Sequence, residues 1–163
     1  MSMIGNLLRI TEAELEMCLK NSAVLENRIY NDESENDQLV DIDKSWEGII
    51  FLLTGQNLSN AVHPFVSVLF SGQLIDEEQD LGYGPAHYLT PEQVVQLNNE
   101  ISKITTDELR MRFDPDKMSV LEIYPMIWEE DEAFEYISDG FLTLQQVFSN
   151  AAKRGEAIVT FLN

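Results

Sequence analysis

The stretch FEYISDGFLTLQQVFSNAAKRGEAIVTFL, residues 134 to 162, decides the fold class, because a helical period gives way inside it to a strand. Phe134, Ile137, Phe141, Leu144, Phe148 and Ala151 follow one another in steps of three and four. Such steps line one face of an α-helix, here about two dozen residues long. The run is too short and too aromatic for a dimeric coiled coil, so the face is expected to pack on a sheet, with a kink or restart at Ser138-Asp139-Gly140. Lys153 and Arg154 sit where the helix dipole favours cations, and Gly155 is suited to close the helix. Ala157 to Leu162 is apolar and partly β-branched, a strand suited to pair with the one that opens the chain.

That opening strand spans Met3 to Ile10, with Ile4, Leu8 and Ile10 on one face and Asn6 as a polar blemish among them. Thr11 and Glu14 have capping-box spacing, and Leu15, Cys18 and Leu19 form the stripe of the helix behind them, which makes Cys18 a core residue rather than a nucleophile. Asn31 to Val40 is polar and charged, a loop that connects rather than packs. Asp43 is placed to cap a helix carrying Trp46, Ile49, Ile50 and Leu53, which Gly55 ends. Pro64 can open a further helix with Phe65, Val66, Val68 and Leu69. In GYGPAHYLTPEQV, residues 82 to 94, a turn, a short apolar strand and a second capping box at Thr90-Pro91-Gln93 follow one another. Val94, Leu97, Ile101 and Ile104 line the helix that begins there. Thr105 with Glu108 repeats the box, Pro115 begins another helix, and Leu121 to Tyr124 reads as a short strand broken by Pro125. The whole is an α/β chain of the α+β kind, one helix-rich domain over residues 1–163.

At 163 residues one core suffices without disulfides or metal. The lone cysteine makes no internal bridge, and no apolar stretch is long enough to span a bilayer, so a reducing, cytoplasmic setting is expected. The formal charge is −19, from 29 acidic and 10 basic residues, which disfavours bare nucleic acid and anionic membranes as partners. Much of the excess lies in three blocks, at residues 32–43, 76–80 and 129–135, where carboxylates suit solvated loops and helix N-termini or a surface that meets a basic partner.

No reaction follows from the motifs. Asp32, Ser34 and Asn36 resemble the start of a calcium loop, but Asp37 replaces its glycine and Asp43 its bidentate glutamate. His63 and His87 have no thiol partner near in sequence, and no cofactor or metal is expected. Gly82-Tyr83-Gly84 lacks a third glycine, and Pro85 removes an amide that a phosphate cradle would use. There is no GxSxG element. The candidate binding residues are therefore polar and aromatic side chains at element ends: Asp43, Lys44 and Trp46; His87 and Tyr88; Tyr124 and Trp128. Each is also what a half-buried core edge looks like, and Lys44 could simply pair with Asp41, Asp43 or Glu47 on the surface.

Met3-Ile4-Gly5, DIDKSW at 41–46, LLTG at 52–55, GPAHYLTPEQV at 84–94, RFD at 112–114, IYP at 123–125 with Trp128, and AAKRG at 151–155 together resemble the YfbM-like family (DUF1877), bacterial proteins of unknown function. The resemblance runs over nearly the whole chain. It implies a single domain with a central mixed sheet covered by helices in a cytosolic bacterial protein, and it implies no activity. Ser2 stands where a glycine usually precedes the Met-Ile-Gly segment, and Ile50 where members often carry histidine, which lowers the expectation of catalysis.

The expectation from the sequence is a non-enzymatic, acidic binding or interaction protein with a basic protein as partner. The rivals are a small-ligand enzyme or sensor whose pocket forms where Lys44, Trp46, Tyr88, Tyr124 and Trp128 converge, and a nucleic-acid mimic that binds a basic protein.

Overall fold

β1 (Gly5–Ile10) and β4 (Ala157–Leu162) pair antiparallel along their whole length, from Gly5 opposite Leu162 to Ile10 opposite Ala157. In the computed structural model, which describes residues 2–31 and 37–163, these are the two central strands. β2 (Leu39–Asp41) flanks β1 and β3 (His87–Leu89) flanks β4, so the sheet order is β2-β1-β4-β3. Every pairing is antiparallel, which corrects the mixed sheet implied by the family resemblance. The expected loop over 31–40 also ends differently: Leu39 and Val40 pair with Leu8 and Leu7. The calcium-loop positions Asp32, Ser34 and Asn36 lie outside the described residues.

Side chains alternate across the sheet, and both faces are covered. On one, Leu8, Ile10, Val159 and Phe161 pack with Leu15 and Cys18 of α1 (Glu12–Lys20), Leu25 of α2 (Ala23–Glu26), and Ile75, Leu81 and Ala86 of the connection before β3. Burial pushes the Cys18 thiol up to about 11, so it stays a neutral core group. On the other face, Leu7, Ile158 and Leu89 lie in the larger core with α3 (Trp46–Thr54), α4 (Pro91–Ile101) and α7 (Ala133–Arg154). α5 (Thr106–Arg112) and α6 (Pro115–Val120) close that core with Leu109 and Met118.

Capping chemistry sets most helix starts. Thr90 accepts from the Gln93 backbone N–H while the Gln93 side chain accepts from that of Thr90, a complete capping box. Thr11, Thr105 and Asp114 each accept from the backbone N–H three residues on. Asp43 does not cap α3. It sits at φ 51° at the start of a 3₁₀ turn, Asp43–Ser45, that leads into the helix. The Pro64 segment is likewise a 3₁₀ helix, Pro64–Val68, and Leu121 to Tyr124 forms no strand. That last segment instead turns so that the Ile123 carbonyl accepts the indole N–H of the buried Trp128 at 2.7 Å. No helix is long and apolar enough to cross a membrane among the described residues.

α7 runs without a break through Gly140, and glycine serves there for contact rather than for bending. A Cβ on Gly140 would lie 2.2 Å from Ser45 Oγ, whose hydroxyl donates to the Ile42 carbonyl at 2.6 Å. A Cβ on Gly48 of α3 would lie 2.8 Å from the Trp128 ring. The two glycines let α3 and α7 approach, with Trp128 wedged beside them. Gly140→Ala should therefore destabilise: the helix-propensity gain of about 1 kcal/mol is smaller than the overlap it creates. Urea unfolding should show a net loss of about 1–3 kcal/mol, largely recovered when Ser45→Gly is added. A Gly140→Ala protein as stable as the wild type would refute the close approach.

Candidate functional site

Trp46 anchors an aromatic row across one end of the sheet. Its ring stacks on Tyr124 (centroids 5.5 Å apart, planes at 28°) and meets Phe70 edge-on at 5.7 Å, and Phe70 in turn meets His87 edge-on at 5.6 Å. The indole N–H donates to the Met3 carbonyl at 3.0 Å, and the Tyr124 hydroxyl accepts from the Met3 backbone N–H at 2.9 Å. Trp46 and Tyr124 thus clamp the segment that leads into β1. The space left beneath Trp46 and Phe70 is about 10 Å³, at the threshold for one water. The row is packed. Glu47 holds its outer end, accepting the Tyr124 backbone N–H at 2.8 Å and that of Leu58 at 3.0 Å.

Of the other residues singled out by sequence, Trp128 is 1% exposed within the larger core and Tyr88 packs against the opposite face of the sheet. Lys44 forms no ion pair among the described residues; its backbone N–H donates to the Tyr136 hydroxyl at 2.9 Å. Trp46, Tyr124 and His87 therefore share one row, Asp43 and Lys44 adjoin a second place through Tyr136, and Tyr88 and Trp128 lie apart from both.

The second place is a cleft of about 690 Å³ at the start of α7. Glu130, Asp131, Glu132, Glu135 and Asp139 line it, all exposed, together with Ile127 and Tyr136. The Tyr136 hydroxyl donates to Asp43 Oδ2 at 2.6 Å while accepting from Lys44. Burial, with the Asp43 carboxylate adding to it, raises the Tyr136 pKa well above its ordinary value, so the hydroxyl remains a donor. The left-handed backbone at Asp43 presents its carboxylate to that hydroxyl. Carboxylates at a helix N-terminus are favoured by the dipole. Among the described residues no group of three or more His, Cys, Asp or Glu is placed to hold a metal ion.

Tyr136 and Glu47 were not evident in the sequence. Tyr136 lies between Phe134 and Ile137 without belonging to the apolar stripe of α7, and Glu47 lies between Trp46 and Gly48 at the start of α3; each acts through a backbone amide far along the chain.

Among the described residues a four-stranded antiparallel sheet, buried on both faces under seven α-helices, defines a single-domain α+β protein. The profile of the family described as Domain of unknown function (DUF1877) matches residues 1–161, and the chain belongs to that family. Among solved structures it is similar to one titled as a protein of unknown function, YfbM from Escherichia coli, at 18% identity, covering 98% of this chain and 99% of that one with a TM-score of 0.77. No curated protein matches the chain.

His87 allows a test of the row. Its Nδ1 accepts the Gly72 backbone N–H at 3.0 Å, and burial holds its pKa below the ordinary 6.5. The folded protein then binds fewer protons than the unfolded chain just below pH 6.5, so stability should fall as pH drops through that window. His87→Asn, which keeps an acceptor for Gly72, should show a smaller loss of Tm between about pH 7.5 and 5.5 than the wild type. Equal losses would mean that His87 is not the group responsible.

Proposed function

We propose that the protein is a non-enzymatic binding protein whose acidic cleft at the start of α7 receives a basic partner protein. The carrying observation is the cleft itself: five exposed carboxylates around about 690 Å³, with Asp43 beside them through Tyr136. The charge of −19 extends the same field over the molecule, which speeds encounter with a cationic surface and excludes polyanions. Rim carboxylates of this kind contribute modestly one by one, so affinity rests on several being met together. The aromatic row does not compete for this role, because its rings are used on Met3 and on one another.

A tagged wild-type bait should enrich a basic protein from lysate at moderate salt over a charge-matched control protein, and higher salt should release it. The variant Glu130→Gln/Asp131→Asn/Glu132→Gln/Glu135→Gln should keep its Tm, since these side chains are exposed, and should lose the capture. Failure to enrich any basic protein over the control, or capture undiminished in the quadruple variant, would overturn the reading.

A further inference from the structure

The least expected side chain in the molecule is Arg9. It lies in the middle of the sheet, 6% exposed, in a chain with only 10 basic residues against 29 acidic ones. A guanidinium carries five N–H donors and is costly to bury unless they are met. Glu156, directly after the glycine that closes α7, meets one: Oε1 accepts from Nη1 at 2.7 Å, with both side chains 7% exposed. Among the described residues the guanidinium makes no other hydrogen bond. Its remaining nitrogens are not sealed either, since the fully buried unpartnered side-chain atoms are on Glu14, Gln79 and Asn98. Arg9 is at the same time a lining residue of a cavity of about 340 Å³ between the β2 edge and α7.

The rest of the lining tells what would fill it. Val40, Leu142 and Val147 make an apolar wall, and the amides of Gln146 and Asn150 stand on the same face of α7. Asp37 also lines the cavity, exposed, next to Gln38, whose carbonyl accepts the Arg9 backbone N–H at 3.0 Å. A simple anion would satisfy Arg9 but meet a site in which Glu156 has already balanced the guanidinium and Asp37 adds a negative charge. A simple cation would leave the guanidinium donors unmet. A zwitterion answers both.

We propose that this cavity binds a free α-amino acid with an apolar side chain, its carboxylate on the unspent donors of Arg9, its ammonium on Asp37 and its side chain against Val40, Leu142 and Val147. The carboxylate takes the charge-assisted hydrogen bonds that Glu156 leaves open. This site is on a different part of the surface from the acidic cleft and stands or falls without it.

L-leucine is the probe, compared by isothermal titration calorimetry with its two half-molecules, 4-methylpentanoate and 3-methylbutylamine. L-leucine should bind saturably and each half-molecule about tenfold or more weakly, the usual effect of removing one charged hydrogen-bonding group. Replacing Arg9 would strip Glu156 of its partner and endanger folding, so the variants lie at the rim. Leu142→Trp, from a half-exposed position, should fill the cavity and abolish leucine binding while leaving Tm unchanged. Asp37→Asn should weaken L-leucine to the level of 4-methylpentanoate. The proposal is overturned if L-leucine shows no saturable binding, if 3-methylbutylamine binds as well as leucine, or if either variant binds leucine as the wild type does.

Discussion

Everything in this structure hangs on the pairing of β1 with β4. The first strand and the last meet along six residues each, and beyond them Ile4 and Asn163 exchange both backbone hydrogen bonds, at 2.8 and 3.1 Å. Asn6, the polar interruption in an apolar strand, finds its reason here: its side-chain amide donates to Asn163 Oδ1 at 2.9 Å and to the Ile4 carbonyl. A pair of strands buried on both faces contributes two hydrophobic surfaces at once, and each surface recruits its own helices. The short strands β2 and β3 are additions to this pair, three residues each.

The second constraint is the approach of α3 to α7. Gly48 and Gly140 remove the side chains that would hold the helices apart, and Trp128 fills what remains. That contact sets the position of Trp46, and through it the aromatic row, at the first residue of α3. It also brings Asp43 and Lys44, in the turn before α3, against Tyr136 on α7. The acidic cleft and the aromatic row are therefore two results of one packing arrangement, on either side of the same short 3₁₀ turn.

What was legible in the sequence were the elements whose signals are local. The capping box at Thr90 and Gln93, the three-and-four steps of α7, the closing glycines at 55 and 155, and the apolar strand after residue 156 all correspond to observed features. What was not legible depends on partners distant in the chain. Gly140 reads as a break because propensity penalises glycine in a helix, and only the position of Ser45 shows why it is tolerated. β2 reads as loop because three residues owe their extended form to Leu7 and Leu8 of β1. Asp43 reads as a cap, but a left-handed backbone and a tyrosine 93 residues away redirect its carboxylate. Among candidate residues, aromatic type and element-end position singled out Trp46, Tyr124 and His87, whose rings lie in one packed row through Phe70. The same criteria could not separate them from Trp128, whose ring is enclosed by α3 and α7.

Because β4 is a central strand, the sheet cannot be completed on the ribosome until residues 157–162 have been made. Until then β1 has an open edge along its whole length, and the apolar stripe of α7 has no finished surface to cover. A chain synthesised only as far as α7 therefore carries exposed strand and helix faces, the condition under which chaperones bind and aggregation competes with folding. The dense negative charge acts before the fold exists: mutual repulsion keeps unfinished chains apart until β4 has been made.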